Sequence, residues 1–300
     1  MLRSSSWLGA RRVLARLPLR SSSEASGMRW AMETNKDKRG ERFDWLPLDW
    51  QPGQSLRRLD SGVVVGRFLG AELSSVYQPI IEVGSGRQVG REAFVRCHAG
   101  GEAALSPWNL FSLVADDVTL VGLDRLCRTL HALNDPRTDE DELLFLNVHG
   151  RLLAAVSEDH GAAFRRVLDV LRLKAANVVI ETPEVTCRDP RLLSFVHANY
   201  RINGFRVAAN LGSLADARTV FAQLRPNFVK IDPRNLRSAE ERAELLALAA
   251  AHGTAVVFTR VGEYRQLDEL GTDAGVYAQG YAIADVSPPG RRAPAASLAA

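Results

Sequence analysis

The chain has 300 residues, 46% hydrophobic and 24% charged, which suits one large globular domain or one domain with an appendage. Its formal charge of +3 is spread without a long Lys/Arg block, which argues against a DNA- or RNA-binding protein. No apolar run reaches the roughly 20 residues that a membrane-spanning helix needs, and Cys97, Cys127 and Cys187 form no Cys-x-x-Cys pair, so they read as reduced, mostly buried thiols of a cytoplasmic protein.

Arg3, Arg11, Arg12, Arg16 and Arg20 precede the first acid, Glu24. Residues 1–27 read either as a basic transit-like segment or as an over-extended reading frame with later starts at Met28 and Met32, and no function is placed on them. From Met28 to about Leu56 the chain is polar and broken by Pro47, Pro52 and Gly53, the composition of a linker or docking arm. Trp7, Trp30, Trp45 and Trp50 are four of the five tryptophans. Such a segment is expected to fold back on the domain, since exposed tryptophans are costly; the alternative is that it is offered to a partner. The expected division is a basic, Trp-rich extension over residues 1–70, a barrel domain over 71–289 and a flexible tail over 290–300.

Tyr77 to Ile81 and Gln88 to Arg96, joined by a turn at Gly84 to Gly86, read as a strand pair. Alternation along the second strand puts Glu92, Phe94 and Arg96 on one side, a carboxylate, an aromatic face and a guanidinium fork that together can grip an anionic, base-containing ligand. Ser106 and Pro107 have the form of a helix cap and first turn, and a helix follows over about 120–133. Glu142 to Val148 is an apolar run too short for a helix, the shape of a buried parallel strand. Strands near 177–182, 205–210, 227–232, 254–259 and 276–283 then follow, with helices near 161–173, 191–199, 215–223 and 239–252 placed between strands. Eight strand candidates alternating with helices predict an α/β fold, a (β/α)8 barrel. The carboxyl ends of barrel strands carry the site, which singles out Glu92, Asn147, Glu181, Asn210, Lys230, Asp232, Thr259 and Gln279.

Several of these positions sit in recognisable motifs: Tyr77-Gln78-Pro79-Ile80, Glu92-Ala93-Phe94-Val95-Arg96, Leu146-Asn147-Val148-His149, Val179-Ile180-Glu181-Thr182, Lys230-Ile231-Asp232 and Gln279-Gly280-Tyr281. In this order they resemble the EAL domain, the bacterial phosphodiesterase module that linearises cyclic di-GMP. The resemblance runs from about Ser75 to Pro289 and implies a TIM-barrel-like EAL fold. It matches Asn147 and Glu181 to metal-ligating positions, although the family's Thr after the latter has become Pro183. Two motifs depart. Where the family has Asp-Asp-Phe-Gly, this chain reads Ala208-Ala209-Asn210-Leu211-Gly212-Ser213, without either acid. In the family's Ala-Glu-Gly-Val-Glu motif the two acids fall on Thr259 and Gly262, and Glu263 comes one position late, on the opposite strand face unless the loop shifts register.

Hydrolysis of a phosphodiester by a metal pair needs two ions about 3.5–4 Å apart, held by clustered carboxylates. With Asn210 neutral and Thr259 unable to ionise, the acids left are Glu92, Glu181 and Asp232. The catalytic positions Glu92, Lys230, Thr259 and Gln279 and the metal positions Glu92, Asn147, Glu181, Asn210 and Asp232 are therefore read as vestigial. No cofactor is required, magnesium or manganese binding is in doubt, and no appreciable hydrolysis is expected. Binding is a separate matter. The resemblance places Gln78, Phe94 and Arg96 where members that bind cyclic di-GMP without cleaving it touch the nucleotide, and Glu92, Asn147, Glu181 and Asp232 complete the ligand-binding set. A plainer reading stays open, in which Arg96 pairs with Glu92 or Glu181, Phe94 is core and Lys230 neutralises Glu181 and Asp232. His149 lacks a second ligand at metal spacing, the Gly84 to Gly86 turn opens no helix and is no phosphate loop, and no nucleophile elbow exists. The Ala-rich stretch from Glu240 to Ala251 reads as an outer barrel helix.

The expected function is a non-catalytic cyclic di-GMP receptor that regulates an unknown protein partner. The alternatives are an interaction regulator that no longer binds the nucleotide and a weak metal-dependent phosphodiesterase. The resemblance also makes a homodimer possible.

Overall fold

The computed structural model describes residues 43–48, 50, 52–98, 107–112, 114–137, 139, 141–155, 159 and 161–289. The expected cap at Ser106, Trp7, Trp30 and the tail at 290–300 lie outside them. Ten strands form one sheet: β1 (Ser55–Arg58), β2 (Val64–Phe68), β3 (Ala71–Glu82), β4 (Gln88–His98), β5 (Leu143–Asn147), β6 (Val178–Thr182), β7 (Arg206–Leu211), β8 (Phe228–Ile231), β9 (Ala255–Phe258) and β10 (Val276–Ala278). β3 pairs antiparallel with both β4 and β10, and the neighbours from β4 round to β10 are parallel, so β3 to β10 close an eight-stranded barrel.

The α-helices among the described residues are α1 (Pro107–Ser112), α2 (Asp117–Leu133), α3 (Gly150–Ala155), α4 (Ala162–Leu171), α5 (Pro190–Ile202), α6 (Leu214–Gln223), α7 (Ala239–Ala251) and α8 (Tyr264–Leu270). Their starts follow local chemistry. Asp116, Asp189, Ser213 and Ser238 each accept a hydrogen bond from a backbone N–H in the first turn of the helix they cap, and Pro190 opens α5 where its missing N–H is no loss. Among the described residues no helix is long and apolar enough to cross a membrane.

Alternation on the strands splits the core in two. Ile80, Phe145, Val179, Ala208, Phe228 and Val257 fill the barrel lumen, and the larger clusters lie between the strands and the surrounding helices. Lumen-facing positions change from apolar to polar toward the carboxyl end: Phe228 is followed by Lys230, Val179 by Glu181 and Ala208 by Asn210. A fully apolar lower barrel thus seats a polar top.

Two expected boundaries change, that of the domain and that of the last strand. The folded body does not begin at 71: β1 and β2 extend the sheet from β3, and Phe43 and Leu46 are buried in the core. Their short, Arg-containing strands look like loop in the sequence, but Leu56, Val64 and Phe68 supply a buried face. Trp50 packs against this core while Trp45 stays half exposed. The last strand is only Val276–Ala278, and α3 and α8 were not foreseen.

Candidate functional site

Three charged side chains from three strands meet in the lumen. Lys230, on β8, donates to Glu92 Oε2 at 2.6 Å and to Glu181 Oε1 at 2.7 Å, joining β4 to β6. Lys230 is 2% exposed and Glu181 1%, so all three charges sit in a medium that penalises isolated ions. The remaining carboxylate lone pairs are met by amides. Asn147 Nδ2 donates to Glu92 Oε1 at 2.6 Å and Gln279 Nε2 to Glu92 Oε2 at 2.9 Å. Asn210 Nδ2 donates to Glu181 Oε2 at 3.4 Å and to the Thr182 carbonyl at 3.1 Å. Below the ammonium lies the Phe145 ring, 5.3 Å from Nζ to its centroid.

The electrostatics follow from burial. Burial and the like charge of Glu92 push Glu181 up to about 7, against the pull of Lys230. Burial alone would lower Lys230, but the two carboxylates raise it, so the ammonium stays charged. Two acids sharing one base leave the cluster short of one positive charge when both are ionised.

Gln78 sits across from Glu92 in the β3–β4 register. Its Oε1 accepts from Gln279 at 3.3 Å and its Nε2 donates to the Ala284 carbonyl at 3.1 Å. Gln279 Oε1 is buried with no hydrogen-bond partner among the described residues. Gly280 follows Gln279 because a Cβ there would overlap the Val261 backbone.

Phe94 and Arg96 continue the luminal face of β4 outward, past the closed barrel, and are half-buried. The pairing of Arg96 with Glu92 or Glu181 is not formed: Lys230 holds both acids, and Arg96 makes a long hydrogen bond, 3.5 Å, to the Val95 carbonyl. Nor does Lys230 reach Asp232, as the sequence reading expected. Asp232 takes a two-pronged bond from Arg234, Nε to Oδ1 at 2.9 Å and Nη2 to Oδ2 at 2.6 Å, with Arg260 Nη1 at 3.6 Å from Oδ2. Burial would raise the Asp232 carboxyl, yet Arg234 and then Arg260 hold it below the usual carboxylate range.

Thr259 is half-buried at the end of β9, its N–H donating to the Ile231 carbonyl at 2.9 Å. Glu263 does not shift into the site. It is the N-cap of α8, sharing a capping box with Gln266, and pairs with Arg265 at 2.6 Å. His149 donates its backbone N–H to Asp124 Oδ1 at 3.2 Å and stacks on Phe111, ring centroids 5.1 Å apart. The three cysteines are buried and free, and burial raises each thiol. Among the described residues no group of three or more His, Cys, Asp or Glu side chains is arranged to hold a metal ion.

Sequence reasoning missed Arg234 and Arg260. Each lies just past a strand end, where an arginine ordinarily reads as solvated charge; the signal was their placement beside Asp232 and Thr259.

A family model for the EAL domain matches residues 66–286. Among solved structures, the chain is similar to the EAL enzyme Bd1971 in its cAMP- and cyclic-di-GMP-bound form, with 19% identity over 73% of this chain and 63% of that one and a TM-score of 0.62. It is similar to the Bacillus subtilis YkuI protein in complex with substrate cyclic di-GMP and calcium, with 23% identity, coverage of 74% and 56%, and a TM-score of 0.62. It is likewise similar to the EAL domain of Xanthomonas citri FimX in complex with cyclic di-GMP, with 21% identity, coverage of 72% and 88%, and a TM-score of 0.60. The chain thus spans less than two thirds of Bd1971 and of YkuI. At these identities the likeness establishes a common fold. No curated protein sequence matches the chain.

Proposed function

The chain belongs to the EAL domain family, and from that premise we propose that it is a cyclic di-GMP receptor that binds the nucleotide without hydrolysing it and conveys its presence to a protein partner. The observation that carries this reading is the Lys230 bridge: its ammonium, 2.6 Å from Glu92 and 2.7 Å from Glu181, occupies an oxygen of each carboxylate and offsets one of the two negative charges that they would offer a cation. The family's two divalent ions do not suit this donor set. Asp232 is held by Arg234, Asn210 is neutral, and Thr259 supplies no carboxylate.

Binding has separate support. Arg96 has no ion pair among the described residues, and its guanidinium suits a phosphate. Phe94, two residues nearer the lumen on the same face, offers a wall for a base. Complexes of YkuI and FimX with cyclic di-GMP are consistent with such a ligand. Incubation of the full chain with cyclic di-GMP and manganese, followed by chromatography, tests the chemical half of the reading. The nucleotide is expected to return intact; a linear dinucleotide accumulating with turnover contradicts it.

A further inference from the structure

Among the described residues three non-glycine residues adopt left-handed backbone, Leu69, Arg172 and Arg260. The first two have ordinary causes. Leu69 and Gly70 form the two-residue turn between β2 and β3, and Arg172 is the C-cap of α4. Arg260, at φ 56°, sits at neither kind of position. It follows the end of β9, its side chain is 75% exposed, and Asp232 already has a full two-pronged partner in Arg234. Neither packing nor the pairing of Asp232 explains an arginine where glycine would adopt the backbone freely.

Its surroundings suggest what it does. Asp232 continues the luminal side of β8 two residues beyond Lys230, roughly 7 Å further along the strand. The Thr259–Ile231 backbone bond brings Arg260 alongside it. Arg234 uses Nε and Nη2 on Asp232, which leaves its Nη1 donors for something else. Asp232 thus fixes the Arg234 guanidinium and has that of Arg260 beside it at 3.6 Å, on the rim above a lysine, both with unused donors and high exposure.

We propose that Arg234 and Arg260, bracketed by Asp232, form a phosphate-binding pair on the rim that supplies the positive charge for ligand binding in place of metal ions. For the nucleotide as ligand this rests on the reading given under Proposed function. Guanidinium forks match phosphate oxygens in pairs, and Asp232 orders Arg234 before the ligand arrives while its charge keeps Arg260 near.

The test compares the full-length wild type with Arg260→Gly and with the double variant Arg234→Gln/Arg260→Gly, all in EDTA. Glycine relieves the left-handed backbone, so Arg260→Gly is expected to melt no lower than wild type and up to about 4 °C higher. Its affinity for cyclic di-GMP is expected to fall at least tenfold, and that of the double variant further. Opposite movement of stability and affinity is a signature that a purely structural arginine does not produce. Unchanged affinity in the double variant overturns the inference and leaves the receptor reading intact, and so does a loss of affinity that merely tracks a lower melting point. Diphosphate serves as a second probe. If wild type ignores cyclic di-GMP but diphosphate raises its melting point, and both substitutions abolish that rise, the anion pair stands and the receptor reading falls. If neither probe binds, both fall.

Discussion

The lumen and the rim of the barrel mouth lie one strand step apart and use their charges in opposite ways. In the lumen, Lys230, Glu92 and Glu181 are buried and satisfy one another, with Asn147, Asn210 and Gln279 meeting the remaining carboxylate oxygens. On the rim, Arg96, Arg234 and Arg260 keep donors that no carboxylate uses up. A charge neutralised internally orders the barrel top but has little attraction left for a ligand, whereas an anchored and exposed guanidinium keeps its attraction. The difference separates a site's stability from its grip.

The largest expected effect breaks the lumen side. Lys230→Met leaves two buried carboxylates facing each other without a cation, and loss of one partner of such a cluster costs about 3–5 kcal/mol. Urea unfolding should show that loss; a change under about 1 kcal/mol would mean that the cluster is not held by its lysine.

The second effect is read through pH. The Glu181 carboxyl, held at about 7 in the fold against an ordinary value of 4.5, binds its proton more tightly folded than unfolded. Its contribution to stability is therefore full below about pH 4.5, declines as pH rises toward 7, and is gone above it, with a slope of up to about 1.4 kcal/mol per pH unit. His131 and His197, which burial holds near 3, act in the other direction: each favours the fold above about pH 6.5 and withdraws that support as the solution is acidified toward 3. Both histidines are present in wild type and in Glu181→Gln, so they cancel in the difference between the two. Melting curves from pH 4.5 to 7 should show wild type losing stability relative to Glu181→Gln as pH rises; parallel curves would contradict the raised carboxyl.

The rim prediction is smaller. Arg96→Ala should weaken cyclic di-GMP binding by about 1.5–3 kcal/mol, the usual worth of a charge-assisted bond, and barely move the melting temperature, since Arg96 holds no acid among the described residues. A calorimetric change below about 0.5 kcal/mol would remove Arg96 from the ligand site.

How much of this was legible depended on what each residue's neighbours do. Leu143 to Leu146 and Val178 to Ile180 read as strands because both of their faces are covered, so burial writes itself into the sequence as a continuous apolar run. β1 and β2 did not, because they are only four and five residues long and arginines (Arg57, Arg58 and Arg67) interrupt their few buried apolar residues, Leu56, Val64, Val65 and Phe68. Motif order found Glu92, Glu181 and Lys230, but their mutual pairing is a contact among residues up to 138 apart, and the sequence equally allowed Lys230 to pair with Asp232. Alternation along β8 was the missing clue: Asp232 stands one level above Lys230, outside the closed cluster. Arg260 was hidden for a different reason, since its distinguishing feature is a backbone angle, φ 56°.

The central claim is that this EAL domain binds its nucleotide through the charge of the rim and not through a metal pair. Calorimetric titration of the full chain with cyclic di-GMP, once in EDTA and once in magnesium, tests it directly. The account predicts micromolar binding of equal strength in both, and binding that appears only with magnesium would contradict it.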